Sequence, residues 1–322
     1  MRILITGGAG FIGSHLAEYL LQRKTQVIVI DNLSTGRYEN IEHLLDNKEF
    51  EFVEGNILDV VLVDKLVEKV DCIFHLAAAV GVDLIVKKPL ESLTTNIKGS
   101  EIILDAALRY RKKILITSTS EIYGKNINGP LKEDDDRILG SPLITRWSYS
   151  TAKAVDEMLA YIYYKEKKLP AIIVRLFNTV GPRQTGAYGM VMPRFIEQAL
   201  NNEPITVYET GKQSRCFLHV KDTINALIKL IAHPKAVGEV FNIGSQYEIT
   251  IEQLAKEIIS LTKSSSKIKY IPYAEAYEEG FEDMQRRVPD ISKINKLIGF
   301  KPTYTLPGII KDIVKYLKIK NS

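Results

Sequence analysis

Gly7-Gly8-Ala9-Gly10-Phe11-Ile12-Gly13 is the stretch of this sequence that decides its fold. It follows an apolar run, Arg2–Thr6 (RILIT), and opens a helical pattern that covers Gly10–Gln22. Glycines at such a junction permit a tight turn and let backbone N–H groups come close to a bound anion. The positive end of the following helix stabilises that anion, so the stretch predicts a phosphate-binding turn.

Short apolar runs alternate with helical patterns throughout the first half of the chain. After Arg2–Thr6, further strands are predicted at Gln26–Asp31, Phe50–Glu54, Asp71–Leu76, Lys113–Ser118 and Ala171–Phe177. Helices are predicted at Gly10–Gln22, Asp59–Glu68, near Thr94–Arg109 and at Tyr149–Lys167. The strands are continuously apolar rather than alternating, which is typical of parallel strands covered on both faces. The pattern predicts an α/β fold, a Rossmann-type doubly wound parallel sheet.

The regular alternation of strand and helix patterns ends after Asn178. Turn signals become frequent there, and helical patterns remain at Thr250–Thr262 and Pro307–Lys318. We expect a Rossmann domain over residues 1–177 and a smaller, mixed α/β substrate domain over residues 178–322. One buried strand pattern, Val237–Gly244, is expected to return to the first sheet, so that residues 218–245 or so join the first domain.

Composition argues against several classes of protein. The chain has 322 residues, of which 45% are hydrophobic and 25% charged, as in ordinary globular proteins. Its net charge of +4 is small for a nucleic-acid binder, and no apolar run approaches the roughly 20 residues that span a membrane. Cys72 and Cys216 show no metal-site spacing, and a strand starts the chain. We therefore expect a reduced, cytoplasmic protein without a metal or a signal peptide.

The acidic residue at the end of the second predicted strand indicates which dinucleotide binds. A carboxylate at Asp31 can accept hydrogen bonds from both ribose hydroxyls of NAD, and it would repel the 2′-phosphate of NADP. Arg37 follows closely in the sequence and could weaken that preference. We predict NAD as the cofactor and residues 1–177 as its domain.

A tyrosine and a lysine four residues apart stand at the start of the predicted helix Tyr149–Lys167. That spacing places Tyr149 and Lys153 on one face of the helix. A phenol normally loses its proton at about pH 10, and we expect the Lys153 ammonium and the nicotinamide ring to lower the pKa of Tyr149. Tyr149 could then act as a general base, with Lys153 also holding the nicotinamide ribose.

These features together resemble the extended short-chain dehydrogenase/reductase superfamily, and within it the nucleotide-sugar epimerases, decarboxylases and dehydratases. The glycine spacing, the Tyr149–Lys153 pair and the strand end Thr117–Gly124 carry the resemblance, which covers nearly the whole chain. It implies the following cofactor-binding residues: Gly7, Gly10, Phe11, Ile12, Gly13, Asp31, Asn32, Asn56, Ile57, Leu76, Ala77, Ala78, Asn96, Tyr149 and Lys153.

The resemblance also implies a UDP-sugar substrate. Two residues are expected near its sugar and one near its nucleoside base. Thr119 is expected to hydrogen-bond the hydroxyl that is oxidised, and Ser120 follows it at the strand end. Tyr208 ends a segment, Pro204–Tyr208, that matches the stretch lying against the nucleoside base.

Phosphate and carboxylate groups of that substrate are expected to meet arginines, because a planar guanidinium offers two parallel donors. Arg215 and Arg287 match positions that grip the phosphates, and Asn178 matches one that contacts the diphosphate region. Arg183 is the cation available for a uronate carboxylate, while Ala187 and Tyr188 supply no charge.

Glu121 bears on the type of reaction. In the resembled family, hexose 4-epimerases often carry a small or hydroxyl residue at this position, whereas glucuronate decarboxylases and 4,6-dehydratases carry glutamate. A carboxylate near C5 can move the C5 proton once C4 is a ketone, or it can orient a leaving carboxylate. Thr119, Glu121, Tyr149 and Lys153 are therefore the expected catalytic residues.

Several fates of the 4-keto sugar stay open. We expect 4-epimerisation of UDP-glucuronate or UDP-glucose, because Gly181–Gly186 and Glu282–Asp290 resemble uronate 4-epimerases. Decarboxylation of UDP-glucuronate is the alternative, indicated by Glu121 and the surroundings of Trp147. Dehydration and a non-catalytic NAD-binding role are further alternatives. The resemblance also implies a homodimer, paired through the helix near Thr94–Arg109 and the helix bearing Tyr149.

Overall fold

The computed structural model describes residues 1–79, 88–186, 190–276 and 282–320, so that Ala187 and Tyr188 lie outside the described residues. The strands are β1 (Arg2–Thr6), β2 (Gln26–Asp31), β3 (Phe50–Glu54), β4 (Cys72–His75), β5 (Lys113–Thr119), β6 (Ala171–Leu176), β7 (Thr179–Val180), β8 (Ile205–Tyr208), β9 (Ser214–Cys216), β10 (Leu218–His219), β11 (Val240–Ile243), β12 (Glu248–Thr250), β13 (Ile268–Ile271) and β14 (Arg286–Arg287). The helices are α1 (Phe11–Leu21), α2 (Val60–Glu68), α3 (Pro89–Arg109), α4 (Ser148–Lys167), α5 (Val191–Leu200), α6 (Val220–Ala232), α7 (Ile251–Thr262), α8 (Tyr273–Ala276), α9 (Ser292–Ile298) and α10 (Leu306–Lys320).

Seven parallel strands form the main sheet, in the order β11-β6-β5-β4-β1-β2-β3. The predicted doubly wound, Rossmann-type sheet is therefore confirmed. The strand order reverses between β1 and β4, and ligands of such sheets bind in the crevice beyond the carboxyl ends of the strands at that point. The glycine turn follows β1 directly, so it lies at this crevice.

Successive side chains of a strand point to opposite faces, and both faces of this sheet are covered. Ile3 and Ile5 of β1 belong to one core, which also contains residues of α1 and α6. Leu4 belongs to the other core, with residues of α2, α3 and α4. This double burial explains why the strands read as unbroken apolar runs.

The segment after β10 returns to the main sheet, as the sequence predicted. β11 pairs in parallel with β6, and Phe241 and Ile243 lie in the same core as Ile3 and Ile5. Helix α6, which sequence reasoning did not identify, covers that core through Ile224 and Leu227. The exact division of the chain at residue 177 stays a prediction.

A third core lies among α5, α7, α10 and strand β8. Next to it, β9 is the central strand of a small sheet, pairing antiparallel with β12 and parallel with β14. The latter register sets Arg215 beside Arg287. Within the described ranges, no helix is long and apolar enough to cross a lipid bilayer.

A buried ion pair fixes α4 against the sheet. Arg175 of β6 donates to both carboxylate oxygens of Glu157 on α4, at 2.9 and 2.8 Å. The same guanidinium donates to the Tyr123 hydroxyl at 2.9 Å, and that hydroxyl donates to Asn242 of β11 at 2.7 Å. Because α4 begins with Ser148 and Tyr149, this network sets the position of the predicted catalytic tyrosine.

Candidate active site

A cavity of about 420 Å³ lies at the carboxyl ends of β1, β2 and β4. Most of the predicted cofactor-binding residues line it: Gly7, Gly10, Phe11, Ile12, Gly13, Asp31, Asn32, Asn56, Ile57, Leu76, Ala77 and Ala78. Asn96, Tyr149 and Lys153 are not among its lining residues. Most of the residues predicted to bind the cofactor therefore line this cavity. Its geometry can be compared with what a dinucleotide requires.

The glycine turn leaves backbone donors facing the cavity. Gly7 has φ +71°, and a Cβ on Gly13 would lie 2.3 Å from the Gly7 carbonyl oxygen. The N-cap of α1 is Gly10, which has no side chain that could accept hydrogen bonds from the first N–H groups of the helix. The first N–H groups of α1 are consequently directed at the cavity, where they suit a diphosphate.

Asp31 is held in place by backbone donors. Its carboxylate accepts hydrogen bonds from the N–H groups of Ala9 and Leu33, at 3.0 and 2.9 Å. Burial raises the pKa of Asp31, and these two hydrogen bonds oppose the rise. Arg37 donates to Thr185 at 3.4 Å. The Asp31 carboxylate can therefore accept ribose hydroxyls, and the cavity fits NAD as predicted.

Asn96 and His75 support the cavity from behind. The Asn96 side chain of α3 accepts from the Ala79 N–H at 2.8 Å and donates to the Ala79 carbonyl at 3.2 Å. His75 contacts Thr6 through Nδ1 and Ser100 through Nε2, at 2.8 and 3.3 Å. Burial lowers the pKa of His75 to about 3, so its ring is neutral near pH 7. Both side chains shape the loop after β4.

Tyr149 is buried at the start of α4, and the protein without its cofactor does not lower the pKa of this phenol. Burial raises the pKa of Tyr149, and the nearby Glu121 and Asp156 carboxylates raise it further, opposed by Arg146. Lys153 is not among the groups that shift this pKa; its ammonium lies 3.1 Å from the Asp156 carboxylate.

The end of β5 and its following turn carry the other predicted catalytic groups. The Thr119 hydroxyl accepts a hydrogen bond from the Glu121 N–H at 3.2 Å and so caps the 3₁₀ turn Ser120–Tyr123. Since the hydroxyl oxygen is the acceptor in that bond, its proton remains available to a substrate oxygen. Ser150 of α4 donates to the Glu121 carbonyl at 2.8 Å, which joins the turn to the helix bearing Tyr149.

Glu121 is buried in an ion pair that sequence reasoning missed. Both of its oxygens accept hydrogen bonds from Arg146, at 2.7 and 3.2 Å. Burial pushes the pKa of Glu121 upward, but Arg146 and Arg287 outweigh it and hold that pKa below its ordinary value. An anion bound on both oxygens is a weak base. Of the two roles expected for Glu121, orientation suits this geometry better than movement of the C5 proton.

Two arginines predicted to bind phosphate stand side by side next to this pair. Arg215 donates to both oxygens of Asp283 at 3.0 Å, and Arg287 donates to the Ser120 hydroxyl at 3.2 Å. Burial, together with the Arg215 charge, lowers the pKa of Arg287 to about 10. Among the described residues, Nε of Arg287 has no hydrogen-bond partner.

The charges of this arginine cluster, which comprises Arg146, Arg215, Arg287, Glu121 and Asp283, do not balance. Three guanidinium groups face two carboxylates, all of them largely buried. Among these five described groups the guanidinium charges outnumber the carboxylates by one, and removing charge from water is costly. The cluster is therefore suited to an anionic group of a substrate.

The remaining predicted substrate residues are distributed around the second half of the chain. Asn178 donates to the Cys216 carbonyl at 3.0 Å, and the Tyr208 hydroxyl accepts from Arg194 at 2.8 Å. Arg183 donates to Glu18 of α1 at 2.6 Å and lines the cofactor cavity. Its expected contact with a uronate carboxylate stays a prediction.

Fold, cofactor cavity and buried Tyr–Lys pair together define a nucleotide-sugar-modifying enzyme of the extended short-chain dehydrogenase/reductase type. Residues 4–313 match the protein family described as GDP-mannose 4,6 dehydratase, and the chain belongs to that family.

Relatives found by sequence are named as decarboxylases, whereas a similar solved structure is that of a 4-epimerase. The chain is 42% identical to UDP-N-acetyl-alpha-D-glucosaminuronate decarboxylase of Bacillus cytotoxicus, over 98% of each chain. It is 36% identical to UDP-glucuronic acid decarboxylase 1 of Danio rerio, over 98% of this chain and 72% of that protein. The structure resembles Bacillus cereus UDP-glucuronic acid 4-epimerase bound to UDP-glucuronic acid and NAD, with a TM-score of 0.88, 30% identity and coverage of 99% and 100%.

Gly13→Ala should weaken dinucleotide binding, because the new Cβ would lie 2.3 Å from the Gly7 carbonyl oxygen and force the turn apart. Overpacking of this kind costs about 1–3 kcal/mol of stability. Thermal unfolding and a fluorescence titration with NADH measure the two effects. The control is Gly308→Ala in α10, whose new Cβ would come no closer than 3.3 Å to Thr305. Wild-type NADH affinity in Gly13→Ala would contradict the assignment of this turn.

Proposed function

We propose that this protein is an NAD-dependent decarboxylase of a UDP-linked hexuronate, either UDP-glucuronate or its 2-acetamido analogue. The observation that carries the choice is the 42% identity to a UDP-hexuronate decarboxylase over 98% of both chains. Solved 4-epimerase structures are similar at 30% identity. The order expected from sequence motifs alone, with epimerisation first, is therefore reversed here, and epimerisation becomes the second candidate.

NAD is the cofactor of the reaction. The N–H groups at the start of α1 would hold its diphosphate, and Asp31 would accept hydrogen bonds from its ribose. The chemistry that NAD would supply when bound is reversible acceptance of the hydride from C4 of the sugar. Tyr149 would accept the proton of the C4 hydroxyl, and Thr119 would donate a hydrogen bond to the same oxygen. Burial and two carboxylates raise the pKa of Tyr149, so its ionisation needs an added positive charge beside the ring.

Loss of carbon dioxide follows from the C4 ketone. The C5–C6 bond breaks, its electron pair moves onto the C4 carbonyl oxygen, and the C6 carboxylate leaves as carbon dioxide. C5 would then take up a proton from water, and the proton held by Tyr149 would return to the C4 oxygen as hydride is restored to C4, so there is no net oxidation. This sequence needs no base at C5. Dehydration does need one, and Glu121 is held as an anion on both oxygens by Arg146. The ion pair thus favours decarboxylation over dehydration.

Substrate anions would be bound by the arginine cluster. Arg287 lies against Ser120 at the end of β5, and its excess charge suits the uronate carboxylate or a phosphate. Arg215 is the neighbour on the paired strand. The fixed anion of Glu121 lies within the same cluster and would disfavour a retained carboxylate relative to neutral carbon dioxide.

The reaction is tested by incubating purified protein with UDP-glucuronate, its 2-acetamido analogue and UDP-glucose. We expect carbon dioxide and a UDP-pentose from one or both uronates, identified by NMR, and no product from UDP-glucose. The Tyr149→Phe variant is the control and should form none. Formation of a UDP-hexuronate epimer with all six sugar carbons retained would support the second candidate and contradict decarboxylation.

Glu121→Gln should change the fate of the 4-keto sugar more than its formation. Without the negative charge, the sugar carboxylate is less disfavoured, so we expect slower release of carbon dioxide and accumulation of bound NADH or of a C4 epimer. Rapid-quench NMR and NADH absorbance separate the two steps. The control is Glu282→Gln, which removes a carboxylate that accepts from Trp147 at 2.8 Å but not from Arg146. An unchanged rate of carbon dioxide release in Glu121→Gln would show that this residue is a bystander.

A homodimer built from α3 and α4 remains part of the proposal. On α4, Met158, Tyr161 and Ile162 are 60%, 46% and 43% exposed, which is a large apolar surface for one helix. Four helices, two from each copy, would cover it. A cytoplasmic location also stays a prediction; Cys72 and Cys216 are both free thiols.

Sedimentation at micromolar concentration should show a dimer, and Met158→Glu together with Tyr161→Glu should yield a folded monomer, because two charges would be buried in the interface. Leu143→Glu is the matched control, since Leu143 is 88% exposed and lies outside both helices. A wild-type protein that sediments as a monomer would rule out this interface.

A further inference from the structure

We propose that Asp156 is the positioning residue of Lys153: a buried counter-ion that holds the lysine ammonium in one position on α4, one turn along the helix from Tyr149. The inference rests on the proposed role of Lys153 in binding the dinucleotide. It does not depend on whether the keto sugar is decarboxylated, epimerised or dehydrated.

The pair lies on one helix and is almost completely enclosed. Lys153 and Asp156 are 2% and 1% exposed, and their Nζ and Oδ2 atoms are 3.1 Å apart. Residues three apart on a helix share a face, so the contact follows from the spacing. Lys153 is one turn after Tyr149, and Asp156 is therefore on the far side of the lysine from the phenol.

A lysine in this position needs a counter-ion for two physical reasons. A buried ammonium without a partner is strongly disfavoured, and its four-carbon stem has many rotamers that a single contact can select. Asp156 supplies both the charge and the contact. Burial raises the pKa of Asp156, while the Lys153 ammonium and the Ser100 hydroxyl oppose that rise. The Lys153 ammonium therefore helps to keep the buried Asp156 carboxylate charged.

Helix α3, which supplies Ser100 near Asp156, is connected to the strands that form the cofactor cavity. Ser100 of α3, which stabilises the Asp156 charge, lies 3.3 Å from Nε2 of His75 on β4. His75 in turn contacts the Thr6 hydroxyl of β1 at 2.8 Å, and that hydroxyl accepts from the Ala77 N–H at 3.2 Å. Ala77 lines the cavity. Buried polar contacts thus run from Ser100 on α3 to the loop on which the dinucleotide would lie.

Other charged groups around the pair already have partners. Glu157, the next residue of α4, is bound by Arg175, and Glu121 on the turn beside Tyr149 is bound by Arg146. His75 faces the pair from β4 and is neutral, since burial lowers its pKa to about 3. Among these described neighbours, Asp156 is the carboxylate within ion-pair distance of Lys153.

The experiment compares NADH affinity as a function of pH in wild-type protein and Asp156→Asn. Without the carboxylate, burial favours the uncharged amine of Lys153, so we expect at least about tenfold weaker NADH binding, the equivalent of one pKa unit of interaction. The loss should grow as the pH rises. Asp156→Glu should recover part of the affinity. Glu166→Gln, which removes an exposed carboxylate from the same helix, should bind NADH as the wild type does.

A double-mutant cycle tests whether Asp156 acts through Lys153. In a Lys153→Met background, Asp156→Asn should have little further effect on NADH binding, because its partner is already absent. Additive effects, or wild-type affinity of Asp156→Asn at every pH, would overturn the proposal. If Asp156→Asn does not fold, the thermal stability of the double variant Lys153→Met/Asp156→Leu is measured instead. Recovery of folding in the double variant supports the pair, and failure to recover overturns the proposal. NADH binding is measured without sugar, so its result does not depend on whether the product assay of the proposed function succeeds.

Discussion

The active site depends on the pairing of charges that are buried around one phenol. Tyr149 lies between two ion pairs, Glu121 with Arg146 and Lys153 with Asp156, and all of these side chains are largely removed from water. Breaking one partner of such a pair leaves an uncompensated buried charge, which typically costs several kcal/mol. The pairs therefore constrain where the catalytic groups can be. They also keep the phenol protonated until a further positive charge is present, because burial and the two carboxylates raise the pKa of Tyr149.

The parallel sheet explains how these charges come together. The carboxyl ends of β1, β4 and β5 meet at one edge, so the glycine turn, the loop after β4 and the turn after Thr119 become neighbours. Helix α4 is fixed across that edge by the Arg175–Glu157 pair. The small sheet of β12, β9 and β14 then adds two arginines from the second half of the chain. In the proposed site, cofactor-binding and substrate-binding residues thus come from different parts of the sequence, and the proposed catalytic groups lie between them.

Much of this arrangement could be predicted from sequence, for reasons that particular residues show. The glycine turn and Asp31 are local signals, and Tyr149 and Lys153 are recognised by their four-residue spacing on a predicted helix. Arg146 and Asp283 were missed as partners because their contacts, with Glu121 and Arg215, join separate segments. The ion pair of Arg183 with Glu18 of α1 was likewise missed, because it joins distant segments that share no local pattern. The Lys153–Asp156 pair has helical spacing and could have been found; its effect on Tyr149 depends on burial, which the sequence does not show.

The central claim is that hydride leaves C4 of the sugar and returns to C4 within one catalytic cycle at this phenol. It is tested most directly with a UDP-hexuronate that carries deuterium at C4, with the product examined by NMR and mass spectrometry. We expect the rate of oxidation to show a primary isotope effect and the product to keep its deuterium at C4. A product that has lost the C4 deuterium to solvent, or one formed at the same rate from both substrates with no bound NADH at any time, would contradict the account.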